Sequence, residues 1–342
     1  MSGAGIEAKV AFLRGSEAYS EKPYKVEVVE THMSWVFLTE HHVYKLKKPV
    51  RWDSLNFCTP ELRRRSCEEE IRLNRRLTTD VYLGTITITL GPDGNLSLDS
   101  GGEPVDWLVH MRRLPANRML DELICRGRIE LEGVRPAALR LAHFYAKSQP
   151  VETTAQTYRE RLQAGVRSDL RELSRPEFGL DRDRVAGLCQ AQLEFLEREA
   201  ALVDARVHQG RIIEGHGDLR PEHICLIREP AIIDCLEFSR DLRLLDPADE
   251  LAFLGLECER LGKAVVGRWF LETYTEVTGD EPPSALLHFY RNYRALRRAK
   301  IAIWHLKDPS VGDRARWPMR ARQYLELAAL VPPREALHVS SS

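Results

Sequence analysis

The stretch Ile212 to Phe238 sets two carboxylates and a second metal-capable side chain around one short hairpin. Asp218 lies in a polar turn, His223 follows five residues later, and Asp234 ends the apolar run Ala231 to Ile233. This is the layout that phosphoryl transfer requires. The transferred group needs little covalent help, so a protein supplies one carboxylate to orient or deprotonate an acceptor hydroxyl and two ligands to hold magnesium against the phosphates. A lone His-Gly-Asp turn is more often an ordinary hairpin whose Asp caps the backbone. The spacing to His223 and Asp234 carries the chemical reading.

The segment resembles the catalytic loop of the protein-kinase-like superfamily, most closely its aminoglycoside phosphotransferase and choline kinase branch. His216-Gly217-Asp218 matches the start of that loop and Ile233-Asp234 its end. The resemblance implies a two-lobed α+β fold. Residues 1–111 would form a small antiparallel-sheet N-lobe with one main helix, and residues 112–342 a mostly helical C-lobe with hinge, catalytic loop and acceptor pocket. It also implies ATP and magnesium as cofactors, Asp218 as catalytic base and Asp234 as the main metal ligand. His223 stands where the family usually has Asn. An imidazole nitrogen can ligate a divalent cation or bond the base, whereas magnesium prefers oxygen, so the number and identity of metals stay open.

The elements that must position this loop are written upstream. Lys25 to Val29, Trp35 to Thr39 and Val43 to Lys47 are β-rich runs between polar turns, which predicts an antiparallel sheet. Thr59 to Leu77 has helical spacing, with Thr59 at the cap and Pro60 in the first turn. Thr85 to Leu90, Leu96 to Leu98 and Val105 to Met111 predict further strands around the Gly91-Pro92-Asp93-Gly94 turn. By the resemblance, Lys45 holds the nucleotide's α- and β-phosphates and Glu70 holds Lys45. Lys47 shares the strand face and is a rival; Glu68 and Glu69 are weaker rivals of Glu70. The turn Glu30 to Ser34 stands where protein kinases have a glycine-rich loop, yet it contains no glycine. Thr31 and Ser34 offer hydroxyl and amide donors to phosphate there. Met111 and Arg113 flank the expected hinge, where a nucleobase pairs with backbone groups.

Helical periodicity marks Met119 to Arg126, Pro136 to Lys147, Leu180 to Val207, Leu251 to Thr278 and Leu286 to Leu306. Ser148 to Arg175 reads as an exposed insertion and Val331 to Ser342 as a fraying tail. Asp246 and Asp249 are expected to cap a helix, and Glu237 to reach a metal through water. Gly255 to Ala264 superficially resembles a P-loop, but it has six residues between its glycines and Ala after the Lys, so we reject it. Arg291, Arg294, Arg297, Arg298 and Lys300 interleave with aromatics. Helical packing explains them better than nucleic-acid binding. A pocket lined by these side chains would repel an aminoglycoside polycation and suit an anionic or neutral acceptor.

The 342 residues suffice for two lobes, and 43% hydrophobic content suffices for packed cores. Fifty basic against fifty-one acidic residues leave a net charge of -1, so no global field recruits nucleic acid or a membrane surface. The first ten residues lack a signal-peptide pattern and no run approaches 18 apolar residues; a cytoplasmic location is the default expectation. Seven scattered cysteines without a Cys-x-x-Cys pair argue against a disulfide framework or zinc ribbon. The expected function is ATP-dependent transfer of the γ-phosphate to a hydroxyl of a sugar or other small metabolite, with aminoglycosides disfavoured. The alternatives are a nucleotide-binding pseudokinase with a regulatory role and a metal-dependent hydrolase using His216, Asp218 and His223.

Overall fold

The computed structural model describes residues 4–52, 55–307 and 313–329, so the expected tail Val331 to Ser342 lies outside the described residues. Helix α1 (Ile6–Arg14) leads into strands β1 (Glu27–Glu30), β2 (Ser34–Leu38) and β3 (His42–Lys47). A short ladder of β4 (Arg51–Trp52) and β5 (Leu55–Asn56) precedes α2 (Pro60–Asn74), then β6 (Tyr82–Leu90), β7 (Leu96–Leu98) and β8 (Glu103–Arg112). The main sheet has the antiparallel order β1-β2-β3-β8-β6-β7. Its period-two pattern assigns the faces. Tyr44 and Leu46 of β3 join Phe37, Ile88 and Leu108 in a core that includes Val10 and Leu13 of α1. Val109 and Met111 of β8 join Cys67 and Ile71 of α2 on the other side, and it is toward α2 that Lys45 and Lys47 point. The expected strands are all present, with ends that differ by no more than three residues.

Helix α2 starts where its cap residues say it should. Thr59 has extended backbone, its hydroxyl accepts from the Leu62 N–H at 3.3 Å, and Pro60 occupies the first turn without wasting a donor. Buried charge then ties the helices to the sheet. Asp106 of β8 accepts from Lys9 Nζ at 2.8 Å and from Arg63 Nε and Nη2 at 2.8 and 2.6 Å. All three residues are buried.

By contacts the chain gathers into two compact units, Met1–Phe144 with His216–Arg243, and Tyr145–Gly215 with Leu244–Ser342. Residues 112–144 and 216–243 thus group with the sheet, rather than with the helices to which a boundary at 111/112 would assign them. The first unit adds α3 (Leu120–Cys125) and most of α4 (Leu131–Lys147). The second contains α5 (Ala155–Leu173), α6 (Arg182–Arg198), α7 (Ala200–His208) and strand β9 (Ile213–Glu214). The chain returns to the first unit for β10 (Ile224–Cys225) and β11 (Ala231–Ile232). It ends in the second with β12 (Leu244–Leu245), α8 (Pro247–Arg260), α9 (Ala264–Thr278), α10 (Ser284–Trp304) and α11 (Arg316–Ala329). Among the described residues no helix is long and apolar enough to cross a membrane.

Three expectations need correction. Ser148 to Arg175 is no exposed insertion, because α5 buries Tyr158, Leu162, Val166 and Leu173 in the helical core. The run Leu180 to Val207 is two helices, and Leu251 to Thr278 is broken at Gly262, whose φ of 84° ends α8 in a left-handed turn. The basic stripe of α10 is largely neutralised. Arg291 pairs with Glu259 at 2.9 Å, Arg294 with Asp249 at 2.7 Å, Arg298 with Glu257 at 3.5 Å, and Lys300 with Asp169. Asp246 caps α8 through the Ala248 N–H at 2.9 Å and also binds Arg206, which Asp280 shares.

Replacing Asp106 by Leu leaves Lys9 and Arg63 as buried cations without their anion. The expected loss is about 3–5 kcal/mol in urea unfolding. A loss below about 1 kcal/mol, the range of exposed pairs, would show that the triad does not hold the sheet to its helices.

Candidate active site

The side chains expected to do chemistry sit on a hairpin whose backbone is held by many hydrogen bonds. Gly217 has φ of 91°, and a Cβ there would come within 2.9 Å of Leu236 Cβ, so the turn requires glycine for its conformation and for its close approach. A 3₁₀ turn at Pro221–His223 leads into β10, which pairs antiparallel with β11. Asp234 follows with φ of 63°, a left-handed conformation that Asp tolerates better than bulky residues. Surrounding groups hold it there. Ile233 O accepts from His216 Nε2 at 2.8 Å, and Ile233 N–H donates to His223 O at 2.9 Å. Asp234 N–H donates to the Tyr82 hydroxyl at 3.2 Å, Cys235 N–H to Asn74 Oδ1 at 2.9 Å, and Leu236 N–H to His216 O at 2.9 Å. Arg243 donates to the carbonyls of Leu236 and Glu237 at 2.6 and 3.1 Å and to Glu69 Oε1 at 3.0 Å.

The period-two register of β3 brings both lysines to this loop. Lys45 Nζ donates to Glu70 Oε1 and to Asp234 Oδ1, each at 2.9 Å. Lys47 Nζ donates to the other Glu70 oxygen at 2.5 Å and to Glu237 Oε1. The two differ in depth, with side chains 15% and 1% exposed. Burial alone would lower the Lys45 ammonium pKa, but Asp234, then Glu70, outweigh it and hold that pKa well above its ordinary value. Burial would likewise raise the carboxyls of Glu70 and Asp234, yet Lys45 and Lys47 hold Glu70 below the usual range, and Lys45, helped by Arg220, does the same for Asp234. Lys47 is held up in the same way by Glu237 and Glu70, so Lys45, Lys47, Glu70 and Asp234 are all charged at neutral pH. The Asp234 side chain remains 44% exposed, so it stays open to solvent while its backbone is fixed.

Asp218 is held differently. Its side chain is 26% exposed, and Arg220 Nε donates to its Oδ2 at 3.0 Å. The same guanidinium reaches Glu222 Oε1 at 2.5 Å and His223 Nε2 at 3.0 Å. His223 Nδ1 lies 2.8 Å from the Asp218 carbonyl, which can only accept, so Nδ1 carries the proton and Nε2 the lone pair. Burial, reinforced by Arg220, lowers the His223 pKa and keeps the ring neutral. Its Nε2 faces Asp234 Oδ2 at 3.5 Å. A carboxylate oxygen and an imidazole lone pair thus converge, a donor set that fits a divalent cation once Arg220 yields the nitrogen. By contrast, both His216 nitrogens serve the backbone, Nε2 to Ile233 O and Nδ1 accepting from Asp218 N–H at 3.3 Å. No group of three or more potential ligands forms a metal cluster among the described residues.

The other expected site residues fare unevenly. Glu68 pairs with Arg64, and Glu69 with Arg72 and Arg243, leaving Glu70 as the acid that meets the lysines. The Thr31 hydroxyl closes its own turn, donating to Ser34 O at 2.9 Å and accepting from Ser34 N–H at 3.0 Å. Ser34 is buried opposite Lys47 in the β2–β3 register, and its hydroxyl makes no hydrogen bond among the described residues. Met111 is a buried strand residue packed beside Val43 and Val109. Arg113 is committed to the sheet, with its N–H on His41 O at 2.7 Å and its guanidinium on Thr39 O at 2.6 Å. Glu237 faces Lys47. Sequence reasoning missed Asn74, Tyr82, Arg220 and Arg243; Arg220 alone had a local signal, lying two residues beyond Asp218.

Tyr82→Phe removes the acceptor for the Asp234 N–H and little else. Chemical unfolding should show a loss of about 1–3 kcal/mol, the cost of orphaning a buried amide. An unchanged midpoint would mean that water or the backbone replaces the phenol.

No family model matches the chain. Uncharacterized proteins of Mycobacterium tuberculosis (strain ATCC 25618 / H37Rv) and Mycobacterium bovis (strain ATCC BAA-935 / AF2122/97) are 33% identical to it over 327 residues. The match covers 91% of this chain and 62% of theirs, so the chain spans less than two thirds of the curated relatives it matches. Among solved structures, the GDP complex of wild-type aminoglycoside 2'-phosphotransferase-IIIa has a TM-score of 0.55 at 15% identity, covering 94% of this chain and 98% of that one. A glucosamine kinase has a TM-score of 0.52 at 15% identity, with 97% and 84% covered. A choline/ethanolamine kinase family protein from Mesorhizobium loti has a TM-score of 0.52 at 16% identity, with 95% and 96% covered. These likenesses establish the fold that the motifs implied, the two-lobed α+β fold of the aminoglycoside phosphotransferase and choline kinase type.

Proposed function

We propose that this chain is an ATP-dependent phosphotransferase that moves the γ-phosphate to a hydroxyl of a small molecule, a sugar or another metabolite. The observation that supports it most is the convergence of Lys45, Glu70 and Asp234 beside a hairpin that carries Asp218 and His223. Lys45 would exchange Asp234 for phosphate oxygens while Glu70 limits where its stem can point. Asp234 and His223 would hold magnesium, which when bound neutralises charge on the phosphates. Asp218 would accept or orient the acceptor's proton, with Arg220 controlling the direction of its carboxylate. Ser34 is the better phosphate donor of the two expected in its turn. Residues 1–111 would then act as the nucleotide-clamping lobe and 112–342 as the acceptor lobe.

The expectation of a basic acceptor lining rests on the arginines of α10. Three of the four α10 guanidiniums, those of Arg291, Arg294 and Arg298, are paired with Glu259, Asp249 and Glu257, which weakens the basis for an anionic preference. The same pairs occupy carboxylates that a polycation would need. A neutral polyhydroxylated acceptor fits this balance better than an aminoglycoside. Glucosamine, choline and kanamycin-like acceptors therefore belong in one panel, scored by ADP formation.

Arg220 also favours a second reading, because it covers both Asp218 and the lone pair of His223. A pseudokinase that binds nucleotide and regulates a partner would show stabilisation by magnesium-ATP without ADP formation on any acceptor. The hydrolase reading loses its zinc set, since His216 spends both nitrogens on the backbone.

In the phosphotransferase, Asp218→Ala should lower kcat by about 10²–10⁴-fold and leave the nucleotide dissociation constant within about twofold, since the carboxylate acts on the acceptor. Asp234→Ala should weaken magnesium-nucleotide binding as well. Wild-type turnover in the Asp218 variant would falsify the assignment.

A further inference from the structure

The proposed chemistry gives no task to Lys47 and Glu237, although both are charged and belong to the same network. One carboxylate, Glu70, serves two ammonium groups with one oxygen each: Oε1 to Lys45 and Oε2 to Lys47. Lys47 also holds Glu237, and its side chain is 1% exposed. Keeping an ammonium so deep forfeits hydration that only close counter-charges recover, and an apolar side chain of similar volume would avoid that cost. Five ionised groups meet here, two lysines against Glu70, Asp234 and Glu237, and they leave one net negative charge beside the place where phosphates would enter. Without Lys47 that excess would double. Glu70 would turn wholly to Lys45, and Glu237 would face the loop unneutralised.

We propose that Lys47 is a positioning residue for nucleotide binding: by occupying one oxygen of Glu70 and the carboxylate of Glu237, it leaves Lys45 only half-engaged and free to exchange Asp234 for a nucleotide phosphate. The nucleotide consequence rests on the phosphotransferase reading; the division of charge does not. Glu237 then belongs to Lys47, not to the metal, which separates it from the water-mediated ligand expected from its spacing to Asp234. Lys47 touches no reacting atom and acts through Glu70 and Glu237.

Two readouts test this, both normalised to folded protein. In amine acetylation followed by peptide mass spectrometry, without nucleotide, Lys45 of Lys47→Met should react about 10-fold more slowly than in the wild type. With both oxygens of Glu70 free to hold it, the Lys45 ammonium is gripped more tightly and its nitrogen is less available to the reagent. Lys47→Arg should restore the rate, and Glu237→Gln, which needs no refolded core, should speed Lys45 labelling because Lys47 then leans harder on Glu70. Equal Lys45 rates in the wild type and Lys47→Met, or slower labelling in Glu237→Gln, would overturn the proposal. In titrations with magnesium-ATP, Lys47→Met should weaken binding about 10-fold, while Glu237→Gln leaves the magnesium half-saturation within about twofold of wild type. A 10-fold rise in magnesium demand would make Glu237 a ligand and overturn its assignment to Lys47. Wild-type protein that binds no nucleotide, yet labels as described, would refute the phosphotransferase reading and spare the charge division.

Discussion

Glu70 is the constraint on which the rest of the site depends. It is a buried carboxylate on α2, and it can stay ionised there only because two ammonium groups from one strand approach its two oxygens. That requirement fixes the register of β3, since Lys45 and Lys47 must fall on the face toward α2 while Tyr44 and Leu46 fill the opposite core. It also fixes the height of α2 against the sheet, which Thr59 and Pro60 start and Cys67 and Ile71 pack. Through Lys45 and Lys47 the same charge network reaches Asp234 and Glu237, so helix, strand and hairpin form one electrostatic unit.

The hairpin meets this unit as a rigid partner. Asn74 of α2 and Tyr82 of β6 take the amides of Cys235 and Asp234, and His216 and Arg243 take carbonyls on either side. Asp234 therefore presents a half-exposed carboxylate from an immobilised and unfavourable backbone conformation. Strain of this kind is stored where geometry matters for chemistry. Asp218 and His223 are set by shorter-range bonds, with the ring's proton committed to the Asp218 carbonyl, so the lone pair of His223 is directed by the very turn that carries the acidic side chain.

Much of this was legible in the sequence, for physical reasons that differ by residue. Strand β3 and helix α2 declare themselves through alternation and the Thr-Pro start, and the resemblance to the kinase branch then implied the pairing of Lys45 with Glu70. His216 to Asp218 and Ile233-Asp234 were legible as a motif. The sharing of Glu70 was not, because it depends on how deeply each lysine projects. Helix α5 hid because its buried Tyr158, Leu162, Val166 and Leu173 are diluted by Thr, Gln and Arg, and a polar surface on a core helix reads like an exposed loop. The arginines of α10 suggested an open basic lining because their partners Asp249, Glu257 and Glu259 lie more than 30 residues away in the chain. Ion pairing at that separation is a tertiary fact with no local signature.

The most direct measurement is calorimetric titration of magnesium with a non-hydrolysable ATP analogue into wild-type protein and Lys45→Met. The account predicts one binding site in the wild type that is lost, or weakened by about 100-fold, when the ammonium between Glu70 and Asp234 is removed, in line with losing a buried charge-assisted contact. Equal affinity in the two proteins would place the nucleotide elsewhere and contradict the site described for this chain.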